Sequence, residues 1–236
     1  SALVASVVAP RDMDAYVFLD VVRGLGDRAR EAGAGVVGGD LSAGEKLVIS
    51  ITAFGYCPGP VVRRDGARPG DLVAVSGTLG YSYAGLDLLE GGHVDPSARG
   101  EAQLGDLAPF VETYRAPTPP LGSGVAAAAA GARAMMDLSD GPATDAARIA
   151  KASGVVIEFD RGAIEAEASH LAAAARVCAV DPVRWVLQGG EEHGMIAVFP
   201  PDAALPEGFR VVGSVRACVA EEEPRAMMDG AVLRGA

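Results

Sequence analysis

The first quarter of the chain shows apolar runs separated by one stretch of helical periodicity. Runs rich in β-branched residues predict strands at residues 2–9, 36–37 and 47–56. Gly38-Gly39-Asp40 follows the second of these strands and is expected to form an acidic turn. A helix is predicted over residues 13–32, where apolar side chains recur at Tyr16, Leu19, Val22, Leu25 and Ala29.

The remainder of the chain mixes strands and helices without an internal repeat. Pro58-Gly59-Pro60 interrupts the pattern, and we place a domain boundary there, with domains at residues 1–62 and 63–236. Strands are predicted at 72–76, 155–159 and 194–199, and helices at 80–89, 125–130, 143–153 and 165–177. This mixture predicts an α/β fold with mixed sheets, of the α+β kind.

Composition and charge limit the possible partners. The 236 residues are 50% hydrophobic with a mean hydropathy of +0.24, yet no run reaches the ~20 apolar residues that cross a bilayer. A net charge of −11 argues against nucleic acid as a partner. Three widely spaced cysteines predict neither a disulfide framework nor a zinc site, and favour a reducing cytoplasm.

The acidic sequence Asp137-Leu138-Ser139-Asp140-Gly141 stands where an apolar strand is expected to turn into a helix. Asp137 and Asp140 could bind Mg²⁺ while Ser139 contacts phosphate. Alternatively, Ser139 or Asp140 only caps the helix. Asp145, one turn further on, is interpreted as an acid favoured by the helix dipole.

Two further motifs carry possible chemistry. Gly38-Gly39-Asp40 could bring backbone and a carboxylate to a ligand, or it could be a simple tight turn. Arg64 could neutralise phosphoryl charge, although arginines in surface loops are usually only solvated.

The turn Gly189-Gly190-Glu191-Glu192-His193 could position a polar substrate or merely expose acids to water. Gly77-Thr78-Leu79-Gly80 lacks the Lys-Ser/Thr ending of a P-loop, so that mechanism is not supported. Trp185 is interpreted as a core residue.

The order of these motifs resembles the thiamine-monophosphate kinase family. The resemblance extends over nearly the whole chain and implies two α/β domains of the aminoimidazole ribonucleotide synthetase-like type. It rests on Gly38-Gly39-Asp40, Arg64-Asp65-Gly66-Ala67-Arg68-Pro69-Gly70-Asp71, Ser76-Gly77-Thr78-Leu79-Gly80, Asp137-Leu138-Ser139-Asp140-Gly141 and Gly189-Gly190-Glu191.

The resemblance also implies a role for each matching residue. Asp40, Asp137 and Asp140 would bind Mg²⁺. Gly39, Asp40, Arg64 and Ser139 would contact ATP. Glu191 would hold the thiamine substrate. No protein nucleophile is implied, which agrees with the lack of a Ser-His or Cys-His arrangement in the sequence.

The implied reaction is direct in-line transfer of the γ-phosphoryl group of ATP to thiamine monophosphate, with several Mg²⁺ ions and a cytoplasmic homodimer. Residues 1–62 would be the remainder of an ATP-binding and dimerisation domain whose N-terminal portion is not in this sequence. The alternatives are another ATP-using enzyme of the same superfamily, or a non-catalytic Mg²⁺-nucleotide-binding domain.

Some residues beside these motifs depart from the family pattern, whereas the implied metal ligands match it. Leu41-Ser42 stands where the family usually has Thr-Thr, and Tyr81 stands where it has Asp. Pro142 replaces a usual Leu, and Glu192-His193-Gly194 replaces Asp-Tyr-Glu. An aromatic substrate contact near the family's C-terminus has no counterpart in this sequence.

Overall fold

The computed structural model describes residues 1–57 and 59–233. Their contacts divide the chain into two compact units, Ser1–Pro60 and Val61–Ala236. The roles expected for residues 1–62, ATP binding and dimerisation, stay predictions. No helix within the described part of the chain is long and apolar enough to cross a membrane.

The first unit is a three-stranded sheet with one helix. Its elements are β1 (Ala2–Ala9), α1 (Ala15–Glu31), β2 (Gly35–Ala43) and β3 (Val48–Phe54). The strand order is β2-β1-β3, with β2 parallel and β3 antiparallel to β1. The Asp14 side chain starts α1 by accepting the N–H of Tyr16 at 2.7 Å.

Strand β2 is longer than expected, and the predicted turn at Gly38-Gly39-Asp40 is wrong. These residues stay in the strand because an irregularity between Leu3 and Val4 restores the pairing, so that Ala5 faces Gly39 and Ser6 faces Asp40. Gly39 takes a φ of +156°, and a Cβ there would lie 1.8 Å from the Ala5 carbonyl oxygen. Only a glycine therefore allows the backbone of β2 to pair with β1 at this position.

The second unit is built on a seven-stranded mixed sheet. Its strands are β4 (Leu72–Ser76), β5 (Ala134–Asp137), β6 (Val155–Phe159), β7 (Met195–Phe199), β8 (Arg210–Ala217), β9 (Arg225–Met228) and β10 (Ala231–Val232). Their order is β10-β9-β6-β8-β4-β7-β5. The β6–β9 pair is parallel, and the other pairs are antiparallel.

The helices of this unit cover the sheet and link its strands. They are α2 (Tyr81–Glu90), α3 (Gly100–Leu104), α4 (Ala108–Arg115), α5 (Ser123–Ala129), α6 (Pro142–Ser153), α7 (Arg161–Ser169), α8 (Ala172–Cys178) and α9 (Pro182–Gln188). The helix expected over 165–177 is two helices, with the fully buried Leu171 at their junction. Helix α9 begins with Pro182 after the capping residue Asp181.

Strand alternation divides the apolar side chains of this unit between two cores. Val73 and Val75 of β4 belong to the larger core, whereas Ala74 between them belongs to a smaller one with Phe199. Trp185 is fully buried in the larger core, so its assignment as a core residue is confirmed.

Candidate functional site

The acidic turn connects the edge strand β5 to helix α6. Asp137 is the last residue of β5, and the backbone N–H of the buried Leu138 donates to the Gly194 carbonyl of the neighbouring chain segment at 2.8 Å. The side chains of Asp137 and Asp140 stay 59% and 50% exposed. The strand therefore places two carboxylates in solvent at the start of a helix.

Asp145 holds this turn from inside the protein. Its side chain is fully buried, and its Oδ2 accepts the backbone N–H groups of Ser139 and Asp140, each at 3.1 Å. Its Oδ1 accepts from Nη1 of Arg148 at 2.7 Å, and Arg148 also pairs with Asp140. Burial raises the pKa of Asp145, and the Asp140 N–H and the Arg148 guanidinium oppose that rise.

Two glycines let the turn at residues 188–194 pack directly against the acidic turn. A Cβ on Gly190 would lie 2.1 Å from the Ser139 carbonyl oxygen. A Cβ on Gly141, whose φ is +94°, would lie 2.7 Å from the Gln188 carbonyl carbon. Both positions therefore require a residue without a side chain.

A cleft of about 420 Å³ lies along these two turns, within the second unit. Of the predicted site residues, Ser139, Asp140 and Glu191 line it together. The other lining residues are Ser82, Tyr83, Leu86, Tyr114, Thr144, Arg148, Gln188, Gly189 and Gly190. Ser82 is only 2% exposed, and its hydroxyl has no hydrogen-bond partner among the described residues. The cleft wall thus carries an unused polar group.

Glu192 lies behind the cleft and caps helix α2. The residue is only 4% exposed. The alternative that this turn merely exposes its acids to water therefore does not hold for Glu192. Its Oε1 accepts the Ser82 backbone N–H at 2.8 Å, at the end of α2 where helical N–H groups lack partners. Burial raises the pKa of Glu192 to about 7, against the lowering effect of the backbone N–H groups.

Arg64 and Asp137 line a second cleft of about 580 Å³ on the other side of the acidic turn. The backbone of this arginine segment runs beside β5, because the Met135 N–H donates to the Arg63 carbonyl at 3.1 Å. His193 lies 3.8 Å from Asp137, measured from Nδ1 to a carboxylate oxygen. Asp137 and Asp140 therefore line two different clefts.

Gly39 and Asp40 belong to the first unit. The Asp40 carboxylate accepts the Ser42 hydroxyl at 2.8 Å. The register of the three strands places Ser6 beside Asp40 and Ser50 beside Ser6, so a polar row crosses the sheet.

The residues of the acidic turn fit a magnesium ion in their donor chemistry. Mg²⁺ is commonly held by one or two carboxylates while water and substrate phosphate complete its coordination. Asp137 and Asp140 offer such exposed oxygens. Among the residues described, no group of three or more His, Cys, Asp or Glu side chains is arranged to hold a metal by itself.

Sequence reasoning missed the supporting roles of Asp145, Arg148 and Glu192. The spacing of Asp145 and Arg148 along α6 was a usable signal, because residues three apart on a helix are neighbours. The contact between Ser82 and Glu192 spans 110 residues and left no local signal.

The comparisons with known proteins agree with this fold. Residues 1–57 match the family of AIR synthase related proteins, N-terminal domain. This match covers the first unit, and the mixed sheet of the second unit agrees with an α/β fold of the AIR synthase-related class.

Thiamine-monophosphate kinases are among the relatives that the chain matches in sequence. The enzyme of Halobacterium salinarum is 32% identical over 223 residues, which cover 92% of this chain and 70% of that protein. The chain therefore belongs to the thiamine-monophosphate kinase family. The Mycobacterium tuberculosis enzyme is 40% identical over 216 residues, and there the chain spans only 61% of the relative's length.

A solved structure has the same fold. The Aquifex aeolicus protein AaThiL, complexed with AMPPCP and TMP, superposes with a TM-score of 0.79 at 27% identity. The match covers 99% of this chain and 71% of that protein.

Proposed function

We propose that this chain carries out the ATP- and Mg²⁺-dependent phosphorylation of thiamine monophosphate to thiamine diphosphate. The observation that supports this most directly is the acidic turn, which the buried Asp145 holds while Asp137 and Asp140 expose their carboxylates at the walls of two clefts. The family's complex with AMPPCP and TMP supports the choice of an ATP-like donor and this acceptor.

Each predicted residue has a physical task in this proposal. Asp137 and Asp140 hold Mg²⁺, and Ser139 contacts ATP at the N-terminal end of α6, where backbone N–H groups favour an anion. Arg64 brings a guanidinium to phosphate in the cleft that it shares with Asp137. Glu191 faces the other cleft, where its charge suits the cationic ring of thiamine.

Phosphoryl transfer between two anions requires that their mutual repulsion be reduced. Bound Mg²⁺ would neutralise charge on the transferring group. The chain's own residues orient the two substrates, so catalysis comes from position and charge and not from a covalent intermediate. By the family resemblance, Gly39 of the first unit would contact ATP and Asp40 would bind Mg²⁺.

We also propose that the chain works as a homodimer in the cytoplasm. The first unit supports the dimer, because its sheet exposes large apolar side chains, among them Leu41, Val48 and Phe54. Three free cysteines suit a reducing compartment.

The test is a reaction of the full chain with ATP, Mg²⁺ and thiamine monophosphate, with both products quantified. We expect ADP and thiamine diphosphate in equal amounts. ADP without thiamine diphosphate would favour another acceptor, and nucleotide binding without turnover would favour a non-catalytic domain. ATP made chiral at its γ-phosphorus should transfer with inversion, whereas retention would contradict a single in-line step.

A further inference from the structure

Arg148 stands where the acidic turn meets the cleft. Its Nη1 donates to Oδ1 of the buried Asp145 at 2.7 Å, and its Nη2 pairs with the exposed Asp140. The side chain is 41% exposed and lines the cleft. The Arg148 guanidinium thus bridges the buried Asp145 carboxylate and the Asp140 carboxylate at the cleft.

The shape of the turn does not depend on the contact between Arg148 and Asp140. Asp145 holds the Ser139 and Asp140 N–H groups with Oδ2, and it holds Arg148 with its other oxygen. Both sets of hydrogen bonds can remain if the Asp140 side chain leaves Arg148 and binds another cation. Exposed ion pairs contribute little to stability, so a divalent cation can displace this one.

The charges around the cleft give Arg148 a second task. Among the described residues that line it, the charged side chains are Asp140, Glu191 and Arg148, so Arg148 is the one cation. While Arg148 pairs with Asp140, an incoming phosphate meets an unbalanced carboxylate and no available positive charge. Once a divalent cation neutralises Asp140, the freed Nη2 can donate to phosphate.

We propose that Arg148 is a displaceable counterion of Asp140 that becomes a phosphate-binding residue when a divalent cation takes Asp140. This inference rests on the proposed function, because it assumes a metal and a phosphate ester as ligands. Under this proposal, binding of the cation and binding of the phosphate are positively coupled, because the cation releases the guanidinium that the phosphate needs. The Ser82 hydroxyl, which has no hydrogen-bond partner within the described part of the chain, lies in the same cleft wall.

Calorimetry on the full chain tests both halves of this exchange. Arg148→Gln removes the competing cation, so Mg²⁺ alone should bind about threefold tighter than to the wild-type chain. The same variant, saturated with Mg²⁺, should bind thiamine monophosphate about tenfold more weakly because a charged hydrogen bond is lost. Arg148→Lys should keep the wild-type Mg²⁺ affinity within about twofold, because the charge remains, and should lose part of the phosphate affinity.

Arg161→Gln is the matched control. Arg161 is 49% exposed and pairs with Glu165 and Asp229 at a different cleft. Its removal changes the net charge equally and should leave both affinities at the wild-type value. Equal effects of Arg148→Gln and Arg161→Gln would show a general charge effect and overturn the proposal.

The Mg²⁺ titration separates this inference from the proposed function, because it needs no thiamine compound and no turnover. An unchanged Mg²⁺ affinity in Arg148→Gln overturns the exchange even if the wild-type chain is a kinase. A wild-type chain that makes no thiamine diphosphate refutes the kinase, while tighter Mg²⁺ binding by the variant still supports the exchange. If Arg148→Gln fails to fold, the test uses Arg148→Lys instead. Thiamine monophosphate binding by that variant at the wild-type affinity would then overturn the proposal.

Discussion

Three acidic side chains have different tasks around the acidic turn. Asp137 is exposed and free to bind a cation, Asp145 is buried and holds backbone N–H groups, and Glu192 is buried and caps a helix. Burial raises the pKa of both buried acids, because a charged carboxylate is poorly solvated inside the protein. Exposure and hydrogen bonding, and not residue type, thus assign each acid its task.

Asp137→Asn tests the metal-binding task. The substitution removes one negative charge from a side chain that is 59% exposed, so the fold should persist with a stability change of about 0.5 kcal/mol or less. Turnover at ordinary Mg²⁺ concentrations should be abolished, because the amide is a much poorer ligand for a hard cation. Thiamine diphosphate formation and urea unfolding are the two measurements. A variant that retains full activity would refute the ligand role of Asp137.

Glu192 makes stability depend on pH in a defined window. The unfolded chain releases this proton near pH 4.5, whereas the folded chain keeps it until about pH 7. Between these values the folded state binds more protons, so the contribution of Glu192 to stability falls as pH rises and is constant above the window. The loss amounts to about 3 kcal/mol at most.

Glu192→Gln should remove this dependence, because the amide does not titrate but can still accept the Ser82 N–H. Urea unfolding of the wild-type chain and the variant at several pH values measures it. The unfolding free energy of the variant should exceed that of the wild-type chain by an amount that grows from pH 4.5 to 7. Glu207→Gln, at an exposed position, should follow the wild-type curve. Parallel curves for Glu192→Gln and the wild type would contradict the raised pKa.

At the scale of elements, the site depends on how two turns pack against each other. The sequence predicted the acidic turn itself, because a strand, two acids and a helix are adjacent in the chain. It could not predict that Gly190 would lie against Ser139, since that contact joins segments distant in sequence. The same limit explains the wrong turn at Gly38-Gly39-Asp40, where pairing with β1 keeps the backbone extended.

Gly190→Ala tests the packing of the turns. The new methyl group would lie 2.1 Å from the Ser139 carbonyl oxygen, and backbone must move to admit it. We expect the variant to lose about 1–3 kcal/mol of unfolding free energy and to bind thiamine monophosphate more weakly, because the cleft wall shifts. Urea unfolding and calorimetry measure the two effects.

Gly122→Ala is the control for a glycine substitution without a clash. A Cβ there meets nothing within 4 Å, and the backbone φ of −82° suits alanine. Its stability should be unchanged or slightly higher, by about 0.4–1 kcal/mol. Equal losses in the two glycine variants would argue against the packing explanation.

At the scale of the whole molecule, the two units differ in how much core they possess. The second unit buries most of the apolar residues, whereas in the described part of the first unit only Ala5 and Ala29 are buried hydrophobics. Small domains have few ways to stabilise themselves when apolar side chains stay in water. The family resemblance predicted that this part of the chain mediates dimerisation, and the burial pattern supplies a physical reason for it.

The dimer prediction can be tested on one face of β3. Val48 and Phe54 lie on the same face because strand residues alternate, and they are 54% and 53% exposed. Replacing both by glutamate places charge inside any interface that this face forms, and the cost of burying unpaired charge should dissociate it. Sedimentation should then show a dimer for the wild-type chain and a monomer for the double variant. Val219→Glu, at a position 67% exposed in the second unit, should stay dimeric. A wild-type monomer at micromolar concentration, or a double variant that still dimerises, would show that β3 does not form the interface.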